Sequence, residues 1–241
     1  MRRTVLLLSV FVLILSACGG QVVQTNAPSA TAVEPVATQP QVMEPTPTTL
    51  TPTTPASTQP PAGPTLFQII PGESKLKYEV YETFLDQNNR INLAVGVSPQ
   101  VTGEINVDRS TPGNSTLGII TADISQFQSD SSRRDNALRE RFIESALYPN
   151  VSFTAQSVEG LPTTYQDGEE IPLKISGDLT IRDVTKPVTF DAKVKLEGDT
   201  LSGEAVTTIL MSEFGFGPIS IAGILNTEDE AKVTLTFLAR P

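Results

Sequence analysis

The 241-residue chain has no histidine, no tryptophan and a single cysteine, Cys18. Without imidazole there can be no Ser-His-Asp triad, no Cys-His pair and no histidine-ligated metal. Without a second cysteine there is no internal disulfide. Catalysis would fall to paired carboxylates or a lysine, and the best pair, Glu169-Glu170, sits beside the turn signal Asp167-Gly168, where adjacent charges are solvated. Glu228-Asp229-Glu230 lacks the spaced oxygen ligands of a calcium loop. No catalytic residue, metal ligand or catalytic cofactor is therefore assigned, and a non-enzymatic role is expected. Basic residues are also scarce, 17 Lys and Arg against 27 Asp and Glu. Setting aside Arg2, Arg3, Glu34 and Glu44 leaves the residues after position 64 with the whole net charge of −10. Nucleic acid and anionic surfaces are poor partners for such a domain, and solubility is the plain reason for its charge. Long apolar runs are missing too. After Leu15 nothing approaches the roughly 20 apolar residues of a membrane-spanning helix.

What is present begins at the N-terminus. Arg2 and Arg3 precede an apolar run from Val5 to Leu15, which ends in Leu15-Ser16-Ala17-Cys18. This is the pattern of a secretory signal with a small-residue cleavage site, occupying residues 1–17. The Leu-Ser-Ala-Cys ending resembles the lipobox of bacterial lipoproteins. That resemblance implies lipidation of Cys18, with the acyl anchor making the membrane a partner and placing the mature chain on the outer face of a bacterial membrane, in the cell envelope. Residues 18–64 are rich in Thr, Pro, Ala, Gln and Val and carry only Glu34 and Glu44 as charges. Such a composition buries too little apolar surface to offset ordering entropy, so it predicts a disordered, proline-stiffened tether.

Residues 65–241 are long enough for one domain with a substantial core. Period-two alternation dominates it: Ile171, Leu173, Ile175, Gly177, Leu179 and Ile181 share one face, as do Val188 to Leu196 and Ala231 to Phe237 taken alternately. Further strands are expected over 76–85, 91–97, 101–107, 117–123, 150–158 and 201–210. Turns are expected at Pro71-Gly72, Pro112-Gly113-Asn114, Asp167-Gly168, Glu197-Gly198-Asp199 and Asp183 to Pro187. One helix is expected from Arg134 to Ala146, with Leu138 and Phe142 a turn apart. Eight or nine alternating strands with a short helical insertion predict an all-β fold, an antiparallel barrel whose closure removes exposed edges, with a sandwich as the alternative. Alternation alone leaves a filled interior and a ligand cavity equally open.

Three stretches carry a resemblance to a known family. The first runs from Thr121-Ala122-Asp123-Ile124 through Arg134-Asp135-Asn136-Ala137-Leu138 and Phe142 to Tyr148-Pro149-Asn150-Val151-Ser152-Phe153. The second is Ser176 to Val188, containing Gly177-Asp178-Leu179-Thr180 and Arg182-Asp183-Val184-Thr185-Lys186-Pro187. The third is Ser212-Glu213-Phe214-Gly215-Phe216. Their order and spacing resemble the YceI-like, polyisoprenoid-binding domain family across roughly Phe67 to Leu238. The resemblance implies an extended lipocalin-like antiparallel barrel around an apolar tunnel, holding a polyisoprenoid or isoprenoid quinone. Phe142, Phe153, Leu173, Ile175, Phe190, Val194, Phe214, Phe216, Val233 and Leu235 are the expected cavity or mouth residues. Arg134 and Asp135 are expected chiefly to cap or pin the helix, with contact between Arg134 and a ligand's polar head as the alternative. The turn residues Asp178 and Asp183 are expected to bond nearby backbone amides, with Pro187 ending the turn. Ala137 stands where family members often carry a histidine, so an imidazole-dependent head contact is excluded.

Overall fold

The computed structural model describes residues 63–241. The signal sequence, Cys18 and the Thr/Pro-rich stretch lie outside the described residues. The first half of the domain contains β1 (Pro64–Ile69), β2 (Lys75–Phe84), β3 (Arg90–Ser98), β4 (Val101–Thr102), β5 (Glu104–Asp108), β6 (Thr116–Leu117), β7 (Ile120–Asp123) and β8 (Gln128–Ser129). A short α1 (Ser132–Ala137) runs into a π-helical turn over Leu138–Phe142. The second half contains β9 (Asn150–Glu159), β10 (Glu170–Ile181), β11 (Val184–Glu197), β12 (Thr200–Leu210), β13 (Ser220–Ile221), β14 (Leu225–Thr227) and β15 (Glu230–Arg240).

All these strands belong to one antiparallel sheet, ordered β13-β14-β2-β15-β12-β11-β10-β9-β7-β4, with β3 and β8 continuing beyond β2 and with β1, β5 and β6 branching from β15. The sheet curls back on itself: β1 joins β15 to β5, the runs 101–108 and 116–123, interrupted only at Gly103 and at Gly118-Ile119, pair with each other, and β7 pairs with β9, so the pairing returns to β15 through β10, β11 and β12. Turn and side-chain bonds reinforce this return. The Ser98 hydroxyl donates to the Asp123 carbonyl at 2.6 Å. The Asp123 amide donates to Gln100, and the Ile69 amide to Gly103, each at 2.9 Å.

Alternation decides which side faces in. On β11, Phe190, Ala192 and Leu196 are buried while Asp191, Lys193 and Glu197 are exposed. Two buried clusters result. One contains Phe153, Phe190 and Phe214, with the Phe153 and Phe190 rings edge to face at 5.0 Å. The other contains Phe67, Val101 and Phe237. Ordered pairs of this kind add to area burial.

The structure corrects several expectations. The expected 101–107 strand breaks at Gly103, and 117–123 breaks at Gly118-Ile119. The helix ends at Phe142, short of Ala146. The turn expected over Asp183 to Pro187 is only Arg182-Asp183, with Ile181 opposite Val184. Pro187 lies within β11, opposite Asp178, in the part of that strand that has β10 as its single partner. A proline there forfeits no ladder bond. Asp178 accepts from the Gln156 side chain at 2.7 Å, not from a backbone amide.

Candidate functional site

The curled sheet encloses a cavity of about 400 Å³. Its walls follow from the period of the strands. Tyr78, Val80, Glu82 and Phe84 reach it from β2, Phe190, Ala192, Val194 and Leu196 from β11, and Ala231, Val233, Leu235 and Phe237 from β15. The volume falls within the range of small-molecule sites, which are mostly apolar with few polar groups. Nine of the ten expected apolar residues line it: Phe142, Phe153, Leu173, Ile175, Phe190, Val194, Phe216, Val233 and Leu235. Phe214 does not. It is 1% exposed and packed in the core cluster, so its neighbour Phe216 is the aromatic that this loop offers to the cavity.

The two small inward residues separate on inspection. Ala192 lines the cavity. Gly177 marks close packing: a Cβ built there would lie 2.3 Å from the Thr154 carbonyl oxygen, next to the point where the β9–β10 register shifts.

Arg134 lines one end of the cavity, but four of its five donors are already engaged. Nε donates to Glu82 Oε1 at 2.8 Å and Nη2 to Glu82 Oε2 at 2.7 Å. Nη1 reaches Asp130 and, at 3.0 Å, the Ser129 hydroxyl. Glu82 is 4% exposed and also accepts from Asn92 at 3.3 Å. Two-point pairing of this kind is strong and directional. Bonding to Glu82 raises the Arg134 pKa further, and Arg134 in turn holds the Asp130 carboxyl below its usual range. Arg134 therefore fastens α1 to β2 with four of its five N–H donors and keeps a single Nη2 hydrogen for a ligand head.

The other end of the helical segment has a second arginine. Arg182, at φ 58°, pairs with Glu144, itself at φ 54°, and places its guanidinium 5.7 Å from the Tyr148 ring centre. Its Nη1 also lies 3.4 Å from the Phe142 and Gly215 carbonyls. Positive φ is uncommon outside glycine and costs backbone energy. The ion pair and ring contact hold it in place.

The far end of the cavity includes Asp108, Arg109 and Tyr165. Asp108 accepts from the Ser110 hydroxyl at 2.6 Å and from the Ser110 and Thr111 amides at 2.9 and 2.8 Å, which together hold its carboxyl below the usual range. The Tyr165 hydroxyl lies 2.7 Å from both Asp167 and the Leu196 carbonyl; burial pushes the phenol up, and the phenol's hydrogen bond pulls Asp167 down. Arg109 donates to the Gly198 carbonyl at 2.7 Å and to Asp199 at 3.0 Å. Among the described residues no group of acidic side chains is placed to hold a metal. No helix among them is long and apolar enough to cross a membrane.

The model of the YceI-like domain matches residues 67–239, the whole curled sheet apart from the first three residues of β1 and the last of β15. The chain belongs to the YceI-like domain family. The YceI proteins of Escherichia coli O157:H7 and of Salmonella newport are 34% identical over 105 residues and 28% identical over 134 residues. These matches cover 43% and 54% of this chain, and 50% and 65% of the relatives. The chain thus spans about half to two thirds of the length of these YceI relatives. Among solved structures, Burkholderia cenocepacia BcnA superposes with a TM-score of 0.54 at 17% identity, covering 70% of this chain and 98% of BcnA. A polyisoprenoid binding domain from Saccharophagus degradans gives 0.53 at 12% identity, covering 72% and 97%. At these identities the neighbours establish the YceI-like fold.

Glu82 and Arg182 were not among the expected site residues. Glu82 had a signal: it is the one charged residue in the inward series Tyr78, Val80, Glu82 and Phe84. The role of Arg182 depends on Glu144, 38 positions earlier, and no local pattern links the two.

Proposed function

We propose that this protein is a membrane-anchored binding protein that shelters a polyisoprenoid or similar long-chain lipid, an isoprenoid quinone included, in its barrel cavity. The observation that carries this reading is the unfilled cavity of about 400 Å³ with aliphatic and aromatic walls. A barrel filled by its own side chains, the alternative left open by alternation, would leave no such space. Burying a methylene is worth about 0.8 kcal/mol, so some ten buried carbons supply roughly micromolar affinity before association costs are deducted. The Saccharophagus degradans neighbour, a polyisoprenoid binding domain, supports the same ligand class by analogy of fold. The anchor rests on the Leu15-to-Cys18 motif, and the binding reading rests on the mostly apolar wall, whose polar members Glu82, Arg134 and Asp108 are engaged with one another or with neighbouring backbone.

The test is native mass spectrometry and solvent extraction of the Cys18→Ser chain, so that no acyl group of its own contaminates the result. A co-purifying or readily acquired isoprenoid is expected. A consistently empty domain that takes up no added polyprenol would sink the reading. Mass spectrometry of the unaltered chain tests the anchor separately, by the added acyl mass on Cys18.

A further inference from the structure

Nine large apolar side chains among the described residues are exposed, and five of them sit together. Tyr81 pairs with Leu93, and Ile91 pairs with Thr83, so these project from the outer face of the β2–β3 hairpin. Leu85 follows at the hairpin end, and its amide donates to the Ile224 carbonyl at 2.7 Å. Ile91 is 69% exposed and Tyr81 50%. Single exposed hydrophobes need no explanation, whereas a contiguous group marks a contact surface.

The group has an inner continuation. Phe84 on β2 and its partner Leu225 on β14 line the cavity, and so does Ile224 itself. An apolar path therefore runs from the outer hairpin face, through Leu85 and Ile224 beside the polar tip Asp86-Gln87-Asn88-Asn89-Arg90, into the cavity. A protein partner would have no use for that continuity. A bilayer would, since it presents an apolar phase to the tip and a route for an apolar guest.

We propose that the β2–β3 hairpin tip and Ile224 form a docking surface for a bilayer of low surface charge, across which the cavity exchanges its lipid. The exchange clause rests on the lipid-binding reading given above. The charge preference follows from the surroundings. The tip carries one acid, Asp86, and one base, Arg90, which lies over Phe84 at 4.9 Å, while Glu228-Asp229-Glu230 leads from β14 into β15. These acids, in a chain of net charge −10, are repelled by anionic lipid. The chain enters the domain at the other end, where Pro64 pairs with Asp108. A proline-biased stretch of the length of residues 18–64 reaches from roughly 40 Å as a coil to over 100 Å extended. The 14-residue β11 spans about 45 Å. A chain anchored at Cys18 could thus present its distal tip to the membrane that holds it.

The experiment uses the full chain with Cys18→Ser, floated with phosphatidylcholine vesicles and with vesicles in which a third of the lipid is phosphatidylglycerol. Measurable partitioning to the zwitterionic vesicles, weaker to the anionic ones, is expected. Ile91→Asp with Leu93→Asp should lower it at least tenfold while leaving the melting temperature and polyprenol uptake from detergent micelles unchanged. Because both positions are exposed, folding should survive; Leu85→Ser with Tyr81→Ser provides an independent pair with the same expectation. Equal partitioning of parent and variants would overturn the docking surface, as would stronger binding to the anionic vesicles. A parent dimer that the substitutions dissociate in sedimentation would overturn it too, by giving the patch to a second copy. Failure of polyprenol uptake from micelles, with vesicle partitioning intact, would instead count against the lipid-binding reading alone.

Discussion

At Gly177 the missing side chain is what the fold requires. A methyl group there would collide with the Thr154 carbonyl and the Ala155 Cα, neither of which can retreat without moving β9. Gly177→Ala should cost about 2 kcal/mol, seen as a lowered midpoint in urea unfolding with an unchanged slope. A second contrast separates core from cavity wall. Phe214→Ala removes a ring packed on all sides and should cost roughly 3–5 kcal/mol. Phe142→Ala removes a half-buried ring facing existing space, and should cost less than half as much in the same assay. Comparable losses would mean that the space beside Phe142 is packed in solution. Much at this scale could be read from the sequence: inward residues follow from alternation, and nine of ten land on the cavity. Phe214 escaped because a loop has no period, so nothing local distinguishes it from Phe216. Arg134 lines the cavity, but its buried partner Glu82 is 52 positions away, beyond the reach of any local pattern.

The helical element depends on polar fastening more than on burial. No residue of α1 or of the π turn is buried, and two arginines hold its ends, Arg134 on β2 and Arg182 on the Glu144 side. Segments with few buried contacts open locally at low cost. Arg182→Ala removes the Glu144 pair and the Tyr148 contact together, leaving the positive φ at Glu144 without its support. Amide hydrogen exchange over residues 138–148 should then quicken by roughly tenfold, the equivalent of about 1.4 kcal/mol, while exchange in β10 and β12 stays as it was. Uniform quickening across the domain would show a global effect and defeat the idea of a local clamp. The long strands were legible as elements because each has five or more alternations. The two- and three-residue strands β8, β13 and β14 were not, since so short a run carries no period, and β4 and β6 were legible only as parts of the longer runs 101–107 and 117–123. β1 was missed for a related reason: only Phe67 and Ile69 alternate in it, and prolines stand close on both sides.

Across the whole molecule, acid is the condition that tests the electrostatics. Asp108 and Asp167, both at the Tyr165 end, are held below the ordinary carboxylate range by hydrogen bonds present only in the fold. Stability from such groups is complete above their unfolded pKa, about 4, and is lost as pH falls through the lower folded value. Melting temperature should therefore hold from neutrality to about pH 4 and decline below it. Asp108→Asn should flatten that decline, lowering the melting temperature at pH 7 more than at pH 3; an equal loss at both would leave Asp108 out of the acid limb. With no histidine in the chain, nothing of imidazole origin should appear between pH 5 and 8.

The antiparallel all-β architecture was legible in the sequence, but the places where its ladder is interrupted were not. Alternation fixes which way side chains point and is silent on breaks such as those at Gly103 and Gly118-Ile119. Those breaks bear on how guests are sized. A ring of ladder bonds has a fixed girth, because widening it breaks a whole row at once. Along the seam of β4 and β5 with β7 and β6 the row is cut into two stretches of two register pairs each, so the enclosure has a soft dimension there. Such a container tolerates a graded series of calibres where a rigid tube imposes a cut-off. Affinity along a ladder of polyprenols of increasing length should accordingly tail off smoothly, and an abrupt limit between neighbouring lengths would show the seam to be stiff.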